Sequence, residues 1–473
     1  MRISFAGAVG RLPQSRYKDW LSPAAVTLDG ILHDSDDRSV SRRIALIAFS
    51  VRILSAVIAY VSQILLARWM GDFEYGIFVA VWVGAVVLGG FACLGFQTAL
   101  LRFVPEYVER GDASSLRGVI VGSRVLGIVA STLFAALGAA GLYAFGDSLS
   151  SYYLVPLYLG AITLPMLAIG EIQDGVARSF YWANLSFWPT FIIRPVLILA
   201  FMWLAVRFGA APDAITAMVA VIAATYVTSL GQLASVERRV RKAVPDGPRR
   251  YRPALWIGIA LPIFIVEGFF NLLTNIDIII VSFLMEPDRV AVYFAAAKTL
   301  ALVHFVYFAV RAGGAQRFSK YYASGDRGRL EDFVRDTLHW TFWPSLAMVS
   351  LLLLFGRPLL GLFGPNFIDG YPLLFIISIG LVVRASIGPA ESLLTMAGQH
   401  NICAAVYTAA FALSVALNFA LIPRYGLQGA AAATTLALVA EAIAVYVLTV
   451  TRLGIHCSIV AALWPRRAAA GAS

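Results

Sequence analysis

Charge is scarce in this chain. Asp, Glu, Lys and Arg supply 14% of its 473 residues, against about a quarter in a soluble globular protein. With 60% of the residues hydrophobic and a mean hydropathy of +0.78, too few polar side chains are left to cover a water-facing surface. An ordinary soluble domain is therefore excluded. Cysteine is scarce as well: Cys93, Cys403 and Cys457 show no CxxC spacing, and two of them lie in apolar runs. They read as small buried hydrophobes, with neither a disulfide framework nor a metal site expected. No GxxxxGK[ST] and no HExxH occurs, and no Ser/His/Asp set can be argued, so P-loop hydrolysis and zinc proteolysis have no motif to run on and the chain is not expected to be an enzyme. The opening 40 residues lack the short basic start and apolar stretch of a secretory signal peptide. Carrying Arg11, Arg16, Lys18, Asp34, Asp36, Asp37 and Arg38, they read as a cytoplasmic tail.

What the chain does have is apolar runs. A helix needs about 20 apolar residues to cross a hydrocarbon core of roughly 30 Å, and such runs fall near 44–68, 76–100, 117–145, 152–174, 187–208, 214–235, 255–283, 290–312, 335–356, 372–396, 402–422 and 429–451. The expected fold class is an all-α integral membrane protein with about twelve transmembrane helices. The connections between runs are short and leave no room for a soluble catalytic domain.

The net charge of +10 is distributed as topology rather than as a nucleic-acid patch. With the N-terminus cytoplasmic, the cytoplasmic segments collect Arg42 and Arg43, then Arg102, Arg110 and Arg117, then Arg238 to Arg252, then Arg317, Lys320, Arg327, Arg329 and Arg335. The opposite side receives only Arg68, Arg207, Arg289, Arg357 and Arg424. Both termini are thus expected to be cytoplasmic and the span count even.

The chain also repeats itself at an offset near 215. ARWMGDFEYGIF at 67–78 aligns with SFLMEPDRVAVY at 282–293. Arg102-Phe103 aligns with Arg317-Phe318, Gly111-Asp112 with Gly325-Asp326, Phe145-Gly146 with Phe363-Gly364 and Glu171 with Glu391. RFGAAPDA at 207–214 lines up with RYGLQGAA at 424–431. Two six-helix bundles in the same orientation follow, related by a pseudo-two-fold axis along the membrane normal. The expected organisation is a tail at 1–43, a bundle at 44–235, a basic linker at 236–254, a second bundle at 255–451 and a tail at 452–473. Two facing bundles suit alternating access, with substrate between them.

LLARWMGDFEYGIF at 65–78, LLRFVPEY at 100–107, LLTNIDIIIVSFLM at 272–285, RPLLGLFGPNF at 357–367 and IPRYGLQGAA at 422–431 together resemble a polysaccharide-transporter-type flippase. That family shares a superfamily with multidrug and toxin extrusion exporters and lipid II flippases. The resemblance covers about residues 43–451. It implies a bacterial inner-membrane protein moving an undecaprenyl-pyrophosphate-linked glycan to the periplasmic leaflet for O-antigen, capsule or exopolysaccharide synthesis. Membrane lipids would be its partners, with polymerase and chain-length proteins as further candidates; no nucleic acid and no cofactor beyond a coupling ion, H⁺ or Na⁺, is implied. Glycosyltransferases and O-antigen polymerases usually carry a long periplasmic loop or an acidic catalytic motif, and neither is visible. The alternative is a cation-coupled drug exporter of the same superfamily.

An ionisable side chain inside a span costs about 2.5–3.5 kcal/mol on insertion scales, so it normally faces a cavity or a partner. Arg52, Arg124 and Arg194 each lie roughly 9–12 Å in from the cytoplasmic face by helical rise. A guanidinium is always charged and offers a planar fork to phosphate oxygens, so these three are candidate pyrophosphate ligands. The competing reading has them snorkel to the interface or pair with Glu171 or Asp174. In the second half, Arg384 and Lys298 are further candidates for the lipid diphosphate, and Glu267 and Asp277 for coupling or gating. Mutual neutralisation within this set is equally open, and for Asp277 a fixed gate or packing contact is the stronger expectation. His304 reads as a satisfied core histidine.

Overall fold

The structure is a computed structural model that describes residues 37–463 apart from 308–309, 311–316, 319–320 and 323; side chains are described from residue 54 on, except at 266, 270 and 400. Two compact units divide the chain at residues 57 and 58. In the first, the described residues form one helical stretch from Asp37. All that follows concerns the second.

Among the described residues the regular structure is entirely helical. In chain order the helices are α1 (Asp37–Ala92), α2 (Phe96–Glu109), α3 (Ala113–Phe145), α4 (Ser151–Ser179), α5 (Ala183–Trp188), α6 (Arg194–Arg207), α7 (Ala214–Ala243), α8 (Pro253–Leu284), α9 (Pro287–Leu300), α10 (Arg327–Leu354), α11 (Gly356–Gly361), α12 (Tyr371–Ser386), α13 (Ala390–Met396), α14 (His400–Leu453) and α15 (Ile459–Leu463).

Two of these are hairpins. Straight, the 56 residues of α1 would reach about 84 Å, nearly three bilayer cores. Instead Gly71 leaves the helical region at φ 77°, ψ 174°, and the Tyr75 hydroxyl donates to Gln63 Oε1 at 2.9 Å. Those residues would stand about 18 Å apart in a straight helix, so the chain folds back at Gly71. In α14 the break is Gly426 at φ 58°, beyond which Gly429 lies against the Leu421 carbonyl. Nine described helices are long and apolar enough to cross a membrane, and the pair Pro253–Phe269 and Asn271–Leu284, bent by 45°, makes a tenth crossing. Counting each hairpin as two crossings brings the described total to twelve.

The turns repeat as the sequence does. Gly111 and Gly325 both take a positive φ, 65° and 68°. Each is followed by an aspartate that caps a helix: Asp112 accepts from the Ser115 amide and Asp326 from the Arg329 amide, both at 3.0 Å. Hydrogen bonds from Ser115 and then Ser114 hold the Asp112 carboxyl well below the usual carboxylate range. Gly209 and Gly426, matched across the repeat, likewise both have positive φ. These caps start helices outside the apolar runs, which moves some boundaries. Arg102 lies within α2 and Arg117 within α3, leaving only Arg110–Asp112 as the connection expected to hold all three. The apolar run ending near residue 100 is interrupted by Leu94 and Gly95, at φ 50° and 74°, and resumes as α2. The run at 372–396 breaks between α12 and α13, where Gly388 has φ 56°.

The two halves meet tightly at the end that carries the α1 hairpin turn. A Cβ on Gly76 would collide with the Pro287 carbonyl, so only glycine permits this approach. Buried Tyr75 packs against Phe294 and Phe367, ring centroids 6.2 and 6.1 Å apart. Arg68 donates from Nε to the Leu362 carbonyl at 2.6 Å and from Nη2 to the Gly361 carbonyl at 2.8 Å. Asn366 Nδ2 donates to Asp72 at 2.6 Å, and the hydroxyls of Tyr60 and Thr299 share a 2.9 Å hydrogen bond. Toward the other end, contacts run through the linker and α8. Arg117 donates to the carbonyls of Pro248 and Pro245, and Trp256 Nε1 donates to the Tyr107 hydroxyl at 3.1 Å.

Candidate functional site

The break in the second crossing creates the space that matters. Gly95 lies directly against the Ala260 carbonyl and Phe264 amide of α8; a side chain there would push the helices apart. Past this contact a cavity of about 330 Å³ opens between α1, α2 and α8, lined by Gly90, Gly95, Gln97, Phe264, Glu267, Gly268, Asn271 and Thr274. Glu267 spans the boundary between halves: Thr98 Oγ1 donates to it at 2.5 Å and Gln97 Nε2 at 3.2 Å. Gln97 Oε1 is buried with no hydrogen-bond partner among the described residues.

The candidate cations separate into two kinds. Arg124 is held: Nη1 meets Glu237 at 2.6 Å and Nη2 donates to Gln173 at 3.2 Å. Pairing with Glu171 or Asp174 was the competing expectation, but the partner is on α7. Arg384 is held twice, by Glu441 at 3.0 Å and Glu391 at 3.2 Å, with its guanidinium 5.5 Å from the Tyr307 ring centroid. Tyr407 donates a short hydrogen bond to Glu391. The mutual neutralisation left open for the second half is therefore what surrounds Arg384, through Glu391 and Glu441 rather than Glu267 or Asp277.

Arg194 and Lys298 are different. Arg194 makes no hydrogen bond or ion pair with the described residues; its guanidinium lies over Trp82, 5.7 Å from the ring centroid. Local sequence puts it there. Pro189 opens a π-helical turn, Pro189–Ile193, and Pro195 follows Arg194, so the backbone is re-aimed where the cation leaves the helix. Lys298 Nζ is 5.0 Å from the Phe294 ring centroid, again without a hydrogen bond or ion pair among the described residues. Of the four candidate phosphate ligands whose side chains are described, these two have no carboxylate within ion-pair distance among the described residues. The side chain of Arg52 lies outside the described residues.

Asp277 is locked. It accepts from the Tyr293 hydroxyl at 2.7 Å, the Ile278 amide at 2.9 Å and Thr434 Oγ1 at 3.2 Å, tying α8 to α9 and α14. That geometry suits a fixed brace. Glu171, named from the sequence as a possible partner of the arginines and as the counterpart of Glu391, lies on α4; one turn further along α4, Gly175 lies against the Gln97 backbone, which brings α4 beside the cavity. Gln97 and Thr98 are the residues that sequence reasoning missed, having no signal beyond being polar in an apolar run.

The family model for a polysaccharide biosynthesis protein matches residues 42–312. The chain belongs to that family. A second model, MatE, matches residues 262–420. No curated protein matches the chain. Among solved structures it is similar to an inward-facing multidrug resistance MATE family transporter of the MOP superfamily, at 15% identity and TM-score 0.70 over 87% of this chain and 98% of that one. It is also similar to the lipid II flippase MurJ in an inward closed conformation, at 16% identity and TM-score 0.62 over 85% and 87%. A MOP superfamily transporter from Pyrococcus furiosus matches at 14% identity and TM-score 0.62 over 90% and 97%. The fold is the two-bundle fold of these MOP superfamily structures, and the described helices are those of a multi-pass membrane protein.

Proposed function

We propose that this protein is a transporter, an alternating-access flippase for an undecaprenyl-pyrophosphate-linked glycan, carrying it from the cytoplasmic to the periplasmic leaflet of a bacterial inner membrane. The glycan would be destined for O-antigen, capsule or exopolysaccharide. Both termini are cytoplasmic in this reading, on the basis of the Lys/Arg bias, so the latched end with Arg68 and Asp72 faces the periplasm. The observation that carries the proposal is Arg194. A guanidinium inside a span costs about 2.5–3.5 kcal/mol, and among the described residues no carboxylate lies within ion-pair distance to offset it. A diphosphate would, through bidentate charge-assisted hydrogen bonds. Lys298 supplies a second cation on the opposite half, a point charge suited to the other phosphate. Membership of a polysaccharide biosynthesis family favours a sugar-bearing cargo over a drug. Coupling to H⁺ or Na⁺ belongs to the proposal, with Glu267 as the carboxylate nearest the cavity.

The test is Arg194→Glu in a deletion strain. The variant, present in the membrane at wild-type level, should leave the surface glycan missing and undecaprenyl-linked oligosaccharide accumulated in the lipid extract. Normal surface glycan would refute the proposal. A deletion that alters drug resistance while sparing the glycan would support the exporter reading that the MatE match also allows.

A further inference from the structure

The turns on the face that collects the Lys/Arg residues share one backbone pattern. After α2, the Gly111 amide donates to the Val108 carbonyl and the Asp112 amide to the Tyr107 carbonyl. After α13, the Gly398 amide donates to the Thr395 carbonyl and the Gln399 amide to the Leu394 carbonyl. After α4, the Tyr181 amide donates to the Arg178 carbonyl and the Trp182 amide to the Ala177 carbonyl. Such a helix ending needs a left-handed residue, usually glycine. Gly111, Gly325 and Gly398 supply it with φ of 65°, 68° and 81°, but at position 181 a tyrosine does, with φ 58°. Across the repeat, Tyr181 stands where the second half has Gly398. A side chain in this conformation is strained. Leu94, the other such residue among those described, packs against a buried apolar cluster. Tyr181 is 91% exposed, so packing within the protein does not offset its strain.

The surroundings of Tyr181 indicate what does. It joins two crossings, Ser151–Ser179 and Ala183–Arg207, so the turn lies at a membrane surface. Asn184, Trp188 and Phe191 are exposed at helical spacing beyond it, which continues its aromatic face into the bilayer. Phe180 and Trp182 stack at 4.7 Å between centroids and fix the base of the turn. The Arg239 guanidinium lies 5.7 Å from the Trp182 ring centroid, and Arg238 and Lys242 are exposed on the same end of α7. The carboxylates of these segments are already engaged: Asp174 by Arg178 and Ser186, Glu237 by Arg124 and Arg241. An exposed phenol at the membrane surface, beside surplus cations and continuous with a lipid-facing aromatic row, matches a negatively charged lipid headgroup. We propose that the turn at 180–182 binds the phosphate of an anionic phospholipid of the surrounding bilayer, with the Tyr181 hydroxyl donating to it and Arg239 supplying the charge. Glycine builds the same turn three times without strain; tyrosine adds a ligand.

The test uses the purified full chain in detergent, titrated with dioleoylphosphatidylglycerol or dioleoylphosphatidylcholine, with the thermal unfolding midpoint as readout. The anionic lipid should raise the midpoint more than the zwitterionic one. Without lipid, Tyr181→Gly should unfold no earlier than wild type, because it restores the residue used in the other turns. It should nevertheless bind phosphatidylglycerol about tenfold more weakly, and Arg239→Gln about fivefold more weakly. Equal phosphatidylglycerol affinity in wild type and Tyr181→Gly overturns the site. Earlier unfolding of Tyr181→Gly without lipid overturns it as well, since the ring would then be held by the protein. In cell membranes, a benzophenone amino acid at position 181 should cross-link to phospholipid; a discrete protein adduct with no lipid adduct would replace the lipid by a protein partner. Binding is read without transport, so the outcome is independent of the cargo.

Discussion

Replacing Arg384 should damage the fold before it damages transport. Its side chain is 15% exposed, and its guanidinium contacts Glu441 and Glu391, whose side chains are 3% and 7% exposed, at 3.0 and 3.2 Å. The three residues join α12, α13 and α14, and Tyr407 and Tyr307 close around them. Arg384→Gln leaves two buried carboxylates facing each other with their cation gone. Removing one partner of a buried pair typically costs about 3–5 kcal/mol, mostly as the penalty of the stranded charge. Glu441→Gln is a smaller injury, because Arg384 keeps Glu391 and the new amide oxygen still accepts from Nη1; about 1–2 kcal/mol is expected. The triple change Arg384→Gln, Glu391→Gln, Glu441→Gln removes every charge and should recover part of the loss, since neutral groups no longer need an ion partner. Unfolding titrations of the purified protein in detergent, run beside transport assays, give the order: wild type most stable, then Glu441→Gln, then the triple variant, with Arg384→Gln last. If Arg384→Gln unfolds like wild type and loses only transport, Arg384 is a substrate cation after all and the structural reading of this cluster is wrong.

Gly76→Val should pry the latched end open, because its Cβ collides with the Pro287 carbonyl; labelling of a Tyr60→Cys probe by an impermeant maleimide should rise, and unchanged labelling would count against the packing described. Arg68→Ala removes two exposed hydrogen bonds to the Gly361 and Leu362 carbonyls and should change stability by about 1 kcal/mol or less while shifting the same labelling in the same direction. Cys457, in the segment after α14, has its thiol pushed up to about 12 by burial. Burial disfavours the thiolate and bars the reagent, so at any pH between 7 and 9 alkylation of Cys457 by iodoacetamide in the folded protein should be at least about a hundredfold slower than that of an exposed cysteine with a pKa near 8.5, and a comparable rate would refute the burial.

The crossings were legible in the sequence because lipid imposes a rule that acts locally: about twenty apolar residues, then a turn. The repeat was legible for the same reason. Gly111-Asp112 and Gly325-Asp326 encode the same positive-φ turn and the same aspartate cap, each within a few residues. What local rules could not supply was pairing. Arg124 and Glu237 are 113 positions apart, Arg384 and Glu441 57, Thr98 and Glu267 169, and composition alone makes all of these equally costly residues inside a membrane. Nor did the run from 76 to 100 announce its break, since a glycine at position 95 is tolerated in an apolar helix and becomes a hinge only because Phe264 packs against it. Pairing is also what sorts the arginines by role. A cation satisfied by protein carboxylates has little left to offer a phosphate, so the pairing of Arg124 and Arg384 leaves Arg194 and Lys298 as the candidates for the proposed anion site among those whose side chains are described. They come from different halves of the molecule, so a diphosphate held by both would be gripped across the boundary that alternating access must open and close.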